Sequence, residues 1–172
     1  APKETEASSE EKDSKIYDGK LAEHMSLYAA LPSAAPNPEN EITPAKIKLG
    51  HALYYDTRLS LTGNNSCNSC HNLNTYGVDN LPTSPGDLGQ NGERNSPTTL
   101  NAALHTSQFW DGRMKDVEEQ AGGPVLNPVE MNMPSEKDVE KRLSEIDLYK
   151  QLFAEAYPGD KNPFTYTNMR NA

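Results

Sequence analysis

Cys67-Asn68-Ser69-Cys70-His71 gathers two thiols and an imidazole into five consecutive residues. In one helical turn, cysteines three apart lie on the same face, and the adjoining histidine projects its ring beside them. Thiols so placed add across the two vinyl groups of a haem, and the imidazole that follows ligates the iron. The pattern therefore reads as one covalent haem c, attached through Cys67 and Cys70 with His71 as axial ligand to the iron. Three other chemistries use such a pair: a redox dithiol, half of a zinc site and a structural disulfide. Zinc would call for more cysteines or a paired histidine at metal spacing, and a redox dithiol for a strand ahead of the first cysteine. Neither pattern is visible.

A ligating imidazole needs its other ring nitrogen to donate to a carbonyl or carboxylate, and the sequence does not name that acceptor. Arg58, Arg94 and Arg113 carry forked donors that suit haem propionates, and Arg94 and Arg113 are retained as cofactor contacts against the alternative of solvated surface arginines. A thioether from Met131 or Met133 would close the sixth iron position as in electron-transfer cytochromes. His24, His51 and His105 read as helix-surface or core residues rather than second ligands.

The elements that must position these groups are helical. At 172 residues the chain suits one domain, yet only 34% of it is apolar and its mean hydropathy is -0.82. An amino-acid core alone would be modest. Covering a haem removes several hundred Å² of apolar surface from water, worth on the order of ten kcal/mol. The net charge of -9 excludes the basic footprint of a nucleic-acid binder and could steer a basic partner. No apolar run approaches the length of a membrane span. A start at Ala1-Pro2-Lys3 is what signal-peptide cleavage would leave, so the expectation is export to the periplasm.

Residues 1–15 form an acidic tail too poor in large apolar side chains to recover its ordering entropy, and are expected to be disordered. A helix is expected from Ile16 to Leu31, ended by Pro32 and an extended linker from Ser33 to Asn40. Thr43-Pro44 reads as a cap and first helical position, predicting a helix from Pro44 to Tyr55 with Ile47, Leu49, Leu53 and Tyr54 inward. From Gly63 to Pro97 the composition predicts a long stretch of loops, which a compact domain tolerates when they fold around something. Ser135 with Asp138 resembles a capping box, and Val139, Leu143, Ile146, Leu148 and Leu152 predict one helix, or two with a break near Ser144. A further helix begins at Thr165 or Thr167 and stops after about one turn, read as a cut through a longer helix.

Beyond the attachment motif, the chain resembles the bacterial di-haem cytochrome c peroxidase family of the MauG-like superfamily, specifically its amino-terminal, peroxide-reducing haem domain. The likeness runs from about Pro36 to Met169 through K-L-G-H-A-L-Y-Y-D-T-R-L-S, L-P-T-S, G-E-R-N-S-P-T-T-L-N-A-A, Q-F-W-D-G-R and E-E-Q-A-G-G-P-V-L-N-P-V-E-M. It implies a mostly α, cytochrome c-like domain over residues 16–172 with long loops wrapped around one covalent haem c. It also implies that Glu130 is the distal acid/base, that Gln120 shapes the peroxide pocket with Pro124 along its wall, and that Trp110 lies on an electron route. Trp110 should also pack, because exposing an indole is costly. Asn95 matches a ligand of a calcium ion whose other donors would come from a second domain.

Two departures stand out. The chain has one attachment motif where the family has two, so either it is a fragment cut before the second, electron-accepting haem domain, or a partner cytochrome or small redox protein supplies electrons directly. Asp87 occupies a position where many relatives carry a histidine that caps the resting iron, which predicts a sixth site open or filled by water. The leading expectation is reduction of hydrogen peroxide to water. The alternatives are a single-haem electron carrier without peroxidase turnover and a haem-based sensor.

Overall fold

The computed structural model describes residues 28–35 and 37–172. The tail expected to be disordered, and most of the helix expected from Ile16, lie outside the described residues. Residues 28–35 carry no helix or strand.

In the unit Pro36–Ala172, α1 spans Pro44–Tyr55, α2 Cys67–Cys70, α3 Val117–Leu126, α4 Glu136–Ser144, α5 Asp147–Ala156 and α6 Tyr166–Arg170. Short 3-10 turns occupy Thr57–Leu59, Leu73–Thr75 and Ala102–Leu104. Among the described residues there are no β-strands, only isolated bridges joining Pro85 to Asn91 and Gln108 to Met114. The mostly α class holds, and the segment from Gly63 to Pro97 is loop apart from α2 and one 3-10 turn.

Helix α1 starts where expected because Thr43 Oγ1 accepts the Lys46 N–H at 3.2 Å and Pro44 opens the first turn. It buries Leu49 and Leu53, one turn apart. Ile47 does not join them. It is 58% exposed, because two residues carry it about 200° round the helix from Leu49.

Ser135 caps α4 by accepting the Asp138 N–H at 3.2 Å, and Glu145 and Ile146 separate α4 from α5. Of the two expected arrangements, the one with a break is found. That break resets the helical phase. Tyr149, Leu152, Phe153 and Ala156 therefore face the core, while Leu148, expected inward, is 52% exposed. Phe153 lies fully buried among the rings of Tyr149, Tyr157 and Phe164. Phe153→Ala should cost about 3–5 kcal/mol in a denaturant titration, through lost contacts and the cavity left behind.

The sequence pattern predicts no helix at α3, whose second half holds Gly122, Gly123 and Pro124. Asp116 caps it by accepting the Glu119 N–H at 2.8 Å, and Glu118 and Glu119 suit the positive end of its dipole. Gly122 is needed by close approach. Its carbonyl accepts the Tyr166 hydroxyl at 2.6 Å, and a Cβ there would stand 2.6 Å from Arg170 Cδ. Thus the contact of α3 with α6 stabilises a segment that local propensity disfavours.

Candidate haem site

Helix α2 begins in a capping box in which the Ser66 N–H donates to Ser69 Oγ at 3.0 Å. The turn closes when the His71 N–H donates to Cys67 O at 2.9 Å. Both cysteines are free. Burial pushes the Cys67 thiol up to about 11 and raises that of Cys70 as well. A redox dithiol needs the opposite shift. Among the described residues no three His, Cys, Asp or Glu side chains are grouped to hold a metal ion.

The acceptor that the sequence left unnamed is Pro97. His71 Nδ1 lies 2.9 Å from the Pro97 carbonyl oxygen, and a carbonyl can only accept, so Nδ1 carries the proton and Nε2 is left for the iron. Burial lowers the pKa of His71 and favours this neutral ring. The Tyr54 hydroxyl donates to His71 O at 2.5 Å and lies 3.2 Å from Thr99 Oγ1. Tyr54 on α1 thereby ties the end of the motif to the helix that packs against α5. Two free thiols on one turn, followed by an oriented imidazole with one nitrogen to spare, fit a covalent haem c.

The chain then returns on itself after α3. The Met131 N–H donates to Pro124 O at 3.1 Å and the Met133 N–H to Val125 O at 2.8 Å, which lays Glu130 against the end of that helix. A cavity of about 300 Å³ results, lined by Phe109, Arg113, Met114, Gly123, Pro124, Leu126, Asn127, Pro128 and Glu130. Glu130 accepts a hydrogen bond from Asn127 Nδ2 at 3.0 Å. Burial raises its pKa, and the bond from Asn127 and the charge of Arg113 only partly oppose the rise. Gln120 sits one turn before Pro124 on α3 but does not line the cavity. Phe109, Met114 and Asn127 do, and the sequence reading singled out none of them as site residues. The only available signal was their place inside or beside the Q-F-W-D-G-R and P-V-L-N-P-V-E-M segments.

Arg113 lies 3.6 Å over the Phe109 ring and donates to Asp111 Oδ1 at 2.8 Å, while Arg94 donates to Asp111 Oδ2 at 2.9 Å. Together the two guanidinium groups hold the Asp111 carboxyl down to about 2. Each keeps further N–H donors that could reach a propionate. Arg58 is engaged with Asp56 instead.

Trp110 corrects an expectation. It does not pack in the core but is 64% exposed, because its indole N–H donates to Asn95 O at 2.8 Å and holds the ring at the surface. Asn95 in turn donates through Nδ2 to Leu81 O at 2.6 Å. No cluster of acidic or histidine ligands joins it among the described residues. Met131 and Met133 both lie in the hydrophobic core and do not line the cavity, whereas Met114 does. His51 and His105 are exposed, and His24 lies outside the described residues. Asp87 is buried, 3% exposed, with its two carboxylate oxygens taken by the backbone N–H groups of Thr62 and Asn64.

Comparison with known proteins bears on the family of the chain. A cytochrome c551 peroxidase of Pseudomonas aeruginosa is 46% identical over 128 residues, covering 74% of this chain and 37% of the relative. The methylamine utilization protein MauG of Methylorubrum extorquens is 40% identical over 133 residues, covering 77% of this chain and 37% of the relative. The chain thus spans a little over a third of the length of these relatives. Among solved structures, a MauG-like protein associated with microbial copper homeostasis superposes with a TM-score of 0.71 at 27% identity, over 84% of this chain and 44% of that one. The diheme peroxidase BthA of Burkholderia thailandensis shares the fold, with a TM-score of 0.66 at 21% identity over 80% and 40% of the two chains. The sequence profile described as "Di-haem cytochrome c peroxidase" matches residues 44–172. That match takes in the cysteine pair, His71 and the cavity with Glu130 at its wall, and by it the chain belongs to the di-haem cytochrome c peroxidase family.

Proposed function

We propose that this chain is a periplasmic haem c peroxidase domain that reduces hydrogen peroxide to water with electrons from a partner cytochrome or small redox protein. The observation that carries the reading is Glu130, a carboxyl of raised pKa beside a cavity on a chain that also presents a haem attachment motif. Cys67 and Cys70 would hold the haem covalently, His71 Nε2 would ligate its iron, and Arg94 and Arg113 would reach the propionates. When bound, the haem supplies the redox chemistry by which peroxide takes up two electrons. Glu130 supplies the proton traffic: as carboxylate it accepts a proton from one peroxide oxygen and returns it to the other as the O–O bond breaks. Two electrons and two further protons from outside complete two molecules of water. The apolar wall of Phe109, Pro124 and Leu126 limits the water that would compete for the Glu130 carboxyl. Trp110, exposed at the surface beside Asn95, offers the route by which electrons enter, whereas Gln120, which does not line the cavity, takes no part in shaping it. A calcium ion at Asn95 would need oxygen donors from outside this unit.

The electron-carrier alternative loses the thioethers of Met131 and Met133, which are packed in the core. We expect a high-spin ferric visible spectrum and a rapid spectral change on stopped-flow mixing with peroxide. A low-spin, bis-ligated resting spectrum would contradict the open site, and no spectral change with peroxide would remove the peroxidase reading. Fractionation of cells producing the full-length gene product tests the periplasmic location.

A further inference from the structure

The segment that leads into the attachment helix and the segment that carries Glu130 both bond to one residue, Asp87. Asp87 is buried, and its carboxylate accepts the N–H of Thr62 at 2.8 Å through Oδ2 and that of Asn64 at 3.2 Å through Oδ1. Asn64 returns a bond, Nδ2 to Asp87 O at 3.3 Å, and Asn65 Nδ2 donates to Pro85 O at 3.0 Å. Asn65 is followed at once by Ser66, the cap of α2. On its other side, the Asp87 N–H donates to the carbonyl of Glu130 itself at 2.7 Å. Flanking contacts fix the same approach: Gln90 Nε2 donates to Pro128 O at 2.5 Å, and a Cβ on Gly86 would overlap the Val129 carbonyl.

A buried carboxylate is costly unless its oxygens are filled, and these are filled by backbone N–H groups of a loop that otherwise lacks helix or strand. Burial alone would raise the pKa of Asp87, but hydrogen bonds, those from the Thr62 and Asn64 backbone among them, outweigh it and hold the group below its ordinary value. The carboxylate is therefore ionised and accepting at neutral pH. An independent brace exists in the Leu61 N–H donating to Met131 O at 2.8 Å, so losing Asp87 should loosen the two segments rather than unfold the domain.

We propose that Asp87 is a positioning residue that sets the placement of Glu130 relative to the Cys67–His71 motif. It acts by pinning residues 62–64 with its side chain and Glu130 with its backbone N–H. The consequence for turnover rests on the peroxidase reading, whereas the mechanical coupling does not.

The test uses the full chain with haem attached and compares Asp87→Ala, Asp87→Asn and Tyr157→Phe with the parent. Asn keeps the shape and one accepting oxygen of Asp87. Tyr157→Phe loses a hydrogen bond to Asn168 O outside this network and serves as a control for lost stability alone. Amide exchange, followed by mass spectrometry without peroxide, should accelerate about tenfold in Asp87→Ala in peptides covering 60–66 and 127–132 together, because a hydrogen-bonded loop exchanges through local opening. The second-order rate with peroxide should fall about tenfold or more, since misplacing a reacting group by an ångström has effects of that size. Asp87→Asn, which sets an amide NH2 against one of the two backbone N–H donors, should show the same joint acceleration and rate loss to a smaller extent, and Tyr157→Phe should change neither. Acceleration confined to 60–66, or a peroxide rate in Asp87→Ala equal to that of Tyr157→Phe, would each overturn the proposal. Should Asp87→Ala not fold, Asp87→Asn alone must show joint acceleration of the two peptides, and unchanged exchange in it refutes the coupling. A parent protein inert to peroxide would sink the peroxidase reading and leave the exchange result to judge the coupling by itself.

Discussion

Glu130→Gln lowers the second-order rate of reaction with hydrogen peroxide by about 10²–10⁴-fold, the range typical of removing a positioned acid/base group. Gln is close to isosteric with Glu and can still accept from Asn127 Nδ2, which donates to the native side chain at 3.0 Å, so the pocket keeps its shape. Only the proton shuttle is gone. The parent rate should also fall as the medium is acidified through the raised pKa of Glu130, because the carboxylate is the form that accepts the first proton. The variant should lose this dependence.

Stability moves in the opposite direction. A folded-state pKa above the unfolded one means that the native protein binds the proton more tightly, so this stabilising contribution is complete below the ordinary carboxylate value and disappears as pH rises through the raised one. Gln has no proton to lose. At neutral pH Glu130→Gln should therefore melt above the parent, with the gap closing in acid, while its peroxide reaction is nearly abolished. Thermal scans at the two pH values and stopped-flow traces check both halves. A variant that reacts as fast as the parent would refute the assignment of Glu130.

Changing Cys67 and Cys70 together to Ser should free the pigment. The intact mass of the parent should exceed that of the bare polypeptide by one haem, and acid-acetone should leave the colour with the protein. In the double variant the mass should equal the polypeptide alone and the colour should pass into the organic phase. Each single variant keeps one thioether and should resist extraction. His71→Ala separates attachment from ligation, because it should retain the added mass while its visible spectrum loses the signature of an axial imidazole. Thermal stability of the double variant should fall steeply, since burial of haem surface is worth on the order of ten kcal/mol to a chain with a thin apolar core. If the parent's colour were itself extracted by acid-acetone, covalent attachment would be refuted.

Much of the fold was legible because its signals are local. Thr43, Pro44, Ser135 and Thr165 act within a single turn as caps or first helical residues, and α1 has the expected bounds. The exceptions have a common cause. Ile47 and Leu148 were expected inward and turn outward, because facing depends on helical phase, which sets Ile47 about 200° from Leu49 and begins again at the break before α5. Helix α3 has a local start signal in Asp116 and Glu119, but Gly122, Gly123 and Pro124 disfavour its second half. It exists because Tyr166 and Arg170 pack on Gly122, and these lie more than forty residues away in the chain.

The site divides along the same line. Cys67, Cys70 and His71 are neighbours in the chain, so the attachment chemistry is written into five residues, and no distant contact is needed to recognise it. Glu130 could be named from resemblance, but its raised pKa comes from surroundings assembled out of residues 109–130. Pro97 as the partner of His71 and Asp87 as the tie to Glu130 both work through backbone groups. Every residue type but proline carries the same N–H, and every residue the same carbonyl, so neither partnership leaves a mark in the sequence. What this sequence offered unaided is the motif at which a haem would be joined to it. What the tertiary structure decided is which backbone groups orient the ligand, how deeply the acid is buried, and that Trp110 stands at the surface rather than inside.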